Sequence, residues 1–315
     1  MRYGAVLPGN RGVLFANLGQ YWPGREAGDS EKLAAFWEEA AQYSPKVYRN
    51  DLTRLAQRAR EGEVVTAQLT QSDFFLPWEQ RVLALSLALG RPREGFARIC
   101  DMYVPVAGAG RALIWQMLGI YALFWLALMT VVSLMVEDWA TRMGALGVIG
   151  AVAVLLLGPL GRGLIRRWID PASGLWNRLQ RFTLGRSVVV TRSLYQYLLN
   201  LGWCIQSGMD VRQSVSLAAE TEPREDLRSR YQKIAADVKA GESLSRAFLK
   251  SGLLNEARLV AAPETRPDGK LWEPGVTDVV RQSWEEQLRW VATMLPVITG
   301  ILAFTVLLAV ALVGL

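Results

Sequence analysis

The sequence predicts an all-α fold, that of an integral membrane protein with three transmembrane helices and two homologous cytoplasmic helical-bundle domains. Three observations lead to it. Three long segments contain no charged residue, the segments between them place apolar residues at spacings of three and four, and one stretch of the first half recurs in the second half. Apolar residues make up 51% of the 315 residues, more than a wholly soluble chain usually contains, so membrane spans are expected.

The charge-free segments lie at residues 112–136, 143–161 and 290–315. At about 1.5 Å per residue, the first and third exceed the roughly 30 Å of a bilayer core, and the second is close to the minimum length for a span. The alternative, three buried core helices, is disfavoured because core helices rarely run so far without a polar face. The predicted organisation begins with a first cytoplasmic domain at 1–111 that is abbreviated at its N-terminus. Two spans follow at 112–136 and 143–161, joined by a periplasmic link at 137–142. A basic juxtamembrane segment with the second cytoplasmic domain occupies 162–289, and the last span lies at 290–315.

The placement of arginines predicts which parts of the chain face the cytoplasm. The link at 137–142 contains one basic residue, whereas residues 162–192 contain seven arginines. By the positive-inside rule, the arginine-rich stretch is cytoplasmic and the link faces outward. At the N-terminus, Pro8, Asn10 and Arg11 interrupt the apolar run that a signal peptide would need, so the first hundred residues are expected in the cytoplasm as well.

Three arginines directly follow the second predicted span: Arg162, Arg166 and Arg167. Arginines at a cytoplasmic membrane exit contact anionic lipid headgroups, so we predict that these three anchor the chain to the membrane surface. Anionic lipid explains the basic excess of the chain without nucleic acid, which we do not expect as a partner. A surface that binds an acidic protein is the alternative explanation of the same charge.

An internal repeat joins the two halves of the chain. Residues 52–75 align without a gap on residues 231–254, and each copy has an apolar helical stripe followed by a Gly-Glu pair and a second helix. The pairs are Gly62-Glu63 and Gly241-Glu242. We predict that they are structural turns, in which glycine ends one helix in a left-handed conformation and glutamate lies near the start of the next. A binding role for the two pairs is the alternative.

The second copy has the sequence pattern of a helical bundle with short loops. Leu194, Leu198, Leu201 and Ile205 form one apolar stripe. Helix ends are predicted at Ser207-Gly208, Gly241 and Ser251-Gly252, and helix starts at the N-caps Asp210 and Ser243. Downstream of the repeat, Arg91-Pro92 with Gly95 aligns on Arg266-Pro267 with Gly269. In the first copy, the opening helix is expected to be short, at roughly Gly12–Trp22.

Several kinds of chemistry are absent from the sequence. The chain contains no histidine, which excludes Ser-His and Cys-His catalysis, and it has no phosphate-binding loop of the G-x-x-x-x-G-K-[ST] type. Its two cysteines, Cys100 and Cys204, are far apart, so neither a zinc site nor a disulfide is expected. We therefore predict no enzymatic activity, no catalytic residue, no cofactor and no metal. The predicted spans carry no ionisable residue, which disfavours ion transport by this chain alone.

Two stretches of the second copy, RSLYQYLLNLGWCIQSGMDVRQSVSLAAE and VKAGESLSRAFLKSGLL, resemble the family of inner-membrane platform proteins of type II secretion and type IV pilus machines. The resemblance implies a multi-pass protein of the bacterial inner membrane with two six-helix cytoplasmic domains. It also implies a scaffold that couples a cytoplasmic assembly ATPase to the insertion of pilin or pseudopilin subunits into a filament. Other inner-membrane assembly components would be further partners, and a homo-oligomer is expected.

The chain departs from the family pattern in the later turn of each domain. A glutamate that some family members use for a divalent cation is replaced by Arg91 in the first copy, and in the second copy Pro263 stands before Glu264 in place of glycine. No metal is therefore predicted here. The related tight-adherence platform usually has one such domain, so the duplication argues against it. The rival from another class is a membrane subunit of a transporter or enzyme complex whose active residues lie on partner chains.

For docking of the ATPase, we select the segment PREDLRS and predict that its arginines, Arg224, Arg228 and Arg230, form an exposed patch. The alternative interpretation of this segment is a solvated turn.

Overall fold

The computed structural model describes residues 8–135, 183–257 and 274–313, and every regular element within these ranges is a helix. The predicted all-α class is therefore confirmed. The first half contains α1 (Pro8–Tyr21), α2 (Ser30–Tyr43), α3 (Arg49–Arg60), α4 (Val65–Thr70), α5 (Pro77–Ala88) and α6 (Pro92–Met135), with short 3-10 turns at Gly24–Gly28 and Lys46–Tyr48. The second half contains α7 (Thr183–Gln206), α8 (Val211–Glu220), α9 (Glu225–Lys239), α10 (Leu244–Ser251), α11 (Leu253–Glu256) and α12 (Pro274–Val313).

Among the residues that the structure describes, none of the helices combines the length and hydropathy needed to cross a membrane. The first predicted span falls within α6 as far as Met135, and the third falls within α12 as far as Val313. Two predicted segments lie outside the described residues: the link and the second span. The same holds for Arg162, Arg166 and Arg167 and for the Arg266–Gly269 match.

The first domain is built around aromatic side chains. Helix α1 packs along the first half of α6, and α2 packs on α3. Six large aromatic residues of this core are fully buried: Phe15, Trp37, Phe75, Trp78, Phe96 and Tyr103. The predicted start of the first helix at about Gly12 was wrong, since α1 begins at Pro8. Proline is tolerated in the first turn of a helix because the N–H that it lacks has no helical partner there.

A buried ion pair crosses this core. The guanidinium of Arg11 donates from Nε to Glu79 Oε1 at 3.0 Å and from Nη2 to Glu79 Oε2 at 2.6 Å. The same carboxylate accepts from the Tyr103 hydroxyl at 2.6 Å and from the Leu76 backbone N–H at 2.7 Å. Burial alone would lower the pKa of Arg11, but the charge and hydrogen bonds of Glu79 outweigh it and raise that pKa above its ordinary value. The buried guanidinium of Arg11 is therefore held in its charged form.

The second domain follows the helix ends predicted from its sequence. Asp210 caps α8 by accepting from Arg212 N at 3.0 Å, and Ser243 caps α10 by accepting from Arg246 N at 3.4 Å. Gly208 and Gly252 have φ of 86° and 68°, the left-handed conformation that ends α7 and α10. In the predicted apolar stripe of α7, Leu194, Leu198 and Leu201 are buried and Ile205 is half-buried. These predictions are confirmed.

Candidate functional site

The two Gly-Glu pairs occupy turns with the same geometry. Gly62 joins α3 to α4 with φ of 88°, and Gly241 joins α9 to α10 with φ of 97°. In both turns the N–H of the glutamate reaches back five residues, from Glu63 to Arg58 O at 3.0 Å and from Glu242 to Asp237 O at 3.1 Å. This hydrogen bond defines the Schellman motif, which requires a residue that adopts positive φ without strain.

The glutamates of these turns form ion pairs with nearby residues. Glu63 accepts from Arg58 Nη2 at 2.6 Å, and Glu242 pairs with Lys250. Each carboxylate thus contacts a basic side chain of an adjacent helix. Within the described residues, no group of three or more His, Cys, Asp or Glu side chains is arranged to hold a metal ion. The segment around Glu264 lies outside those residues.

The three arginines selected for docking do not form one exposed patch. Arg224, which directly precedes α9, is only 8% exposed. Its guanidinium donates from Nε and Nη2 to Asp226 at 3.2 and 3.0 Å. The prediction that it is exposed was therefore wrong. Arg228 and Arg230 are half-buried. Arg228 lies near Arg81 of the first domain, and its charge adds to the burial that lowers the pKa of Arg81.

Arg224 and Arg230 instead line a cleft of about 340 Å³ formed by α7, α9 and α11. Its walls are Arg186, Val189, Val190, Arg224, Asp226, Leu227, Arg230 and Glu256. Glu256 Oε2 accepts from Arg186 Nε at 3.1 Å and from Arg230 Nη1 at 3.0 Å. Partial burial would raise the pKa of Glu256, but hydrogen bonds from the two guanidiniums and their charges lower it below its ordinary value. The cleft therefore contains a carboxylate that is charged at neutral pH.

A second site joins the two domains at Trp203 of α7. Its indole is buried, and Nε1 donates to Glu94 Oε2 of α6 at 2.7 Å. The guanidinium of Arg98 lies 4.6 Å from the indole ring and donates from Nη1 to Leu199 O at 3.1 Å. Gly95 allows α5 and α6 to approach closely here, since a Cβ atom at this position would lie 2.5 Å from Ser86 Cβ. We call these contacts the Trp203 junction.

Two further arginines connect the domains beside the Trp203 junction. Arg192 of α7 is buried, with its guanidinium 5.5 Å from the ring of Trp78 in α5 and 6.0 Å from the ring of Trp284 in α12. Arg81 of α5 donates to the carbonyl oxygens of Glu220 at 2.9 Å and Glu222 at 2.8 Å, where α8 ends. Capping of these helix-terminal carbonyls by a cation is favourable because they carry the negative end of the helix dipole.

Sequence reasoning missed the domain contacts completely. The partners at the Trp203 junction are 109 positions apart in the chain, and no local periodicity relates them. The one available indication was the residue type at position 203. A tryptophan buries a large apolar area when it packs, so its presence in α7 indicates an extensive contact.

No curated protein and no solved structure matches the chain. A family model does match residues 197–262, and its description is type II secretion system (T2SS), protein F. The matched stretch runs from α7 through α11 and includes the Gly241 turn together with Arg224, Arg230 and Glu256 of the cleft. The match confirms the family resemblance predicted for the second copy: this part of the chain is similar to type II secretion system protein F.

Proposed function

We propose that the chain is a non-catalytic inner-membrane platform of a type II secretion or type IV pilus machine. It would couple a cytoplasmic assembly ATPase to the insertion of pilin or pseudopilin subunits into a filament. The observation that carries the proposal is the protein F match at 197–262, in a helical domain whose order of helices recurs in the first half. The shared Schellman turns at Gly62 and Gly241 support the duplication, since both copies end equivalent helices in the same way.

The proposal includes insertion of α6 and α12 into the membrane. Support comes from the absence of charged residues at 112–135 of α6 and at 290–313 of α12. These halves also expose large apolar side chains, among them Trp115, Leu123 and Phe304. Such surfaces are unfavourable in water and favourable in lipid. The finding that no described helix qualifies as a span stands against this part of the proposal, so it requires its own experiment.

That experiment is a topology assay of the full chain. Reporter fusions at Gly62 and Gly241 should both report the cytoplasm, because the arginine bias and the lack of a signal-peptide pattern at the N-terminus both predict that side. The chain should also remain with membranes after carbonate extraction. Reporters on opposite sides, or release of the chain by carbonate, would reject the inserted, duplicated platform.

The functional prediction concerns nucleotide and partners. The purified full-length protein should neither bind nor hydrolyse ATP, since the sequence offers no histidine and no phosphate-binding loop. Its cytoplasmic domains should bind a separate assembly ATPase in a pull-down from the same organism. Deletion should abolish filament formation or secretion while the filament subunit is still made. Intrinsic ATP hydrolysis, or normal filaments in the deletion strain, would overturn the proposed function.

A further inference from the structure

We infer that the cleft formed by α7, α9 and α11 binds the phosphate of an anionic lipid headgroup, with Arg186 and Arg230 as the residues that contact it. The inference rests on the membrane insertion in the proposed function for the position of the bilayer. Three features of the cleft support it: its position relative to the proposed membrane surface, its hydrogen-bond donors without a partner among the described residues, and its charge.

The height of the cleft follows from the pairing of α6 with α7. Glu94 contacts Trp203, and Arg98 contacts Leu199, so the two helices run antiparallel and a step along one is matched by a step back along the other. Arg186 lies as many residues before Leu199 as Arg111 lies after Arg98. Because both helices rise about 1.5 Å per residue, Arg186 lies about as far along α7 from the Arg98–Leu199 contact as Arg111 lies along α6. Arg111 is the last charged residue before the charge-free segment of α6, so the cleft lies at the proposed membrane surface.

The cleft has donors that the described residues leave unused. Within these ranges the guanidinium of Arg186 has one hydrogen-bond partner, Glu256, which it contacts through Nε. Its two terminal amino groups have no hydrogen-bond partner among the described residues, and 58% of the side chain is exposed. Arg230 donates from Nη1 to Glu256 and from Nη2 to Ser251 O, which fixes its guanidinium at the opposite wall. Planar guanidiniums bind phosphate oxygens in a bidentate manner, so these arginines suit such a group.

The size and charge of the cleft fit a phosphodiester better than a larger anion. Three arginines and two carboxylates line it, which leaves one positive charge to match the single negative charge of a phosphodiester. A volume of about 340 Å³ accommodates a headgroup, and Val189, Val190 and Leu227 offer an apolar wall to the glycerol carbons. Glu256 accepts a hydrogen bond from each of the two arginines and holds their guanidiniums in place. It is also a competing anion, so its removal should strengthen lipid binding.

The test uses the full-length chain in nanodiscs of phosphatidylcholine, into which phosphatidylglycerol is titrated while native mass spectrometry measures the retained lipid. The double variant Arg186→Gln/Arg230→Gln should bind phosphatidylglycerol about 30-fold more weakly than the unaltered chain, since each arginine near a bilayer contributes a few-fold. Glu256→Gln should bind about 5-fold more tightly, because a partly exposed pair contributes at most about that factor. The control is Arg246→Gln, which alters an exposed arginine of α10 outside the cleft and should bind like the unaltered chain.

Retention of phosphatidylglycerol by the double variant at the level of the unaltered chain overturns the inference. An equal loss in the Arg246→Gln control also overturns it, because the effect would then be general surface charge. Displacement of the lipid by micromolar inorganic phosphate would assign the cleft to free phosphate and reject the lipid headgroup. Failure of the chain to insert into nanodiscs would instead count against the proposed function, so the two failures are distinguishable.

Discussion

Replacing Glu79 with glutamine should lower the free energy of unfolding of the first domain by about 3–5 kcal/mol. The Glu79 carboxylate accepts four hydrogen bonds, from Arg11 Nε and Nη2, the Tyr103 hydroxyl and the Leu76 N–H. A glutamine amide would direct its NH₂ group at donors and leave the buried guanidinium of Arg11 without a counter-charge. The loss can be measured by pulse proteolysis of the full chain across a urea series.

Two further variants separate the ion pair from general effects of the substitution. Glu38→Gln removes a carboxylate whose pair with Arg60 is solvent-exposed, with side chains 42% and 57% accessible, so it should cost less than about 1 kcal/mol. Arg11→Met combined with Glu79→Gln should recover more than half of the loss, because no buried charge then remains unpaired. Equal costs for Glu79→Gln and Glu38→Gln would contradict the importance of burial for this pair.

Truncating Trp203 to alanine should cost about 3–5 kcal/mol and loosen the contact between the two domains. The substitution removes the buried indole together with its hydrogen bond to Glu94 and its contact with the Arg98 guanidinium. We expect faster amide hydrogen exchange in the full chain, both in α7 and at residues 77–99 of the first domain, to which Trp203 does not belong. Faster exchange at residues 77–99 is expected because Trp203 contacts that part of the first domain.

The matched variant at this position is Trp203→Phe. It keeps most of the apolar volume and removes the indole N–H, so Glu94 loses one hydrogen bond, at a cost of about 1–3 kcal/mol. Its exchange pattern should lie between those of the unaltered chain and Trp203→Ala. Increases confined to α7 and α8 in both variants would show that Trp203 stabilises only its own domain.

The features that the sequence predicted correctly depend on local chemistry. Asp210 and Ser243 are N-caps because their side-chain oxygens reach the backbone N–H groups two or three residues later. The helix end at Gly252 depends on backbone conformation at one position. Likewise, the buried leucine stripe of α7 follows from the helical period alone. Each of these depends on residues within a few positions, which is the range over which a sequence pattern carries information.

The features that the sequence did not predict depend on contacts between distant positions. Arg11 and Glu79 are 68 positions apart, and nothing near Arg11 indicates that a charged residue would be buried. One local indication existed at the other partner, because Pro77 and Glu79 stand at the first and third positions of α5, a common helix start. The predicted exposure of Arg224 was wrong for the same reason. Charge alone suggested exposure, whereas Arg224 is buried beside α7 and α9 and forms an ion pair with Asp226.

Because α6 is long, a small rotation at the Trp203 junction would become a large displacement at the other end of the helix. The helix continues through Pro105 for 44 residues, so it is about 66 Å long. Glu94 and Arg98, which contact the second domain, lie in its first two turns. A rotation of about 5° at that end would shift the far end by about 6 Å, roughly half the diameter of a helix. Helix α6 bends most easily at Pro105, because proline removes one backbone hydrogen bond of the helix.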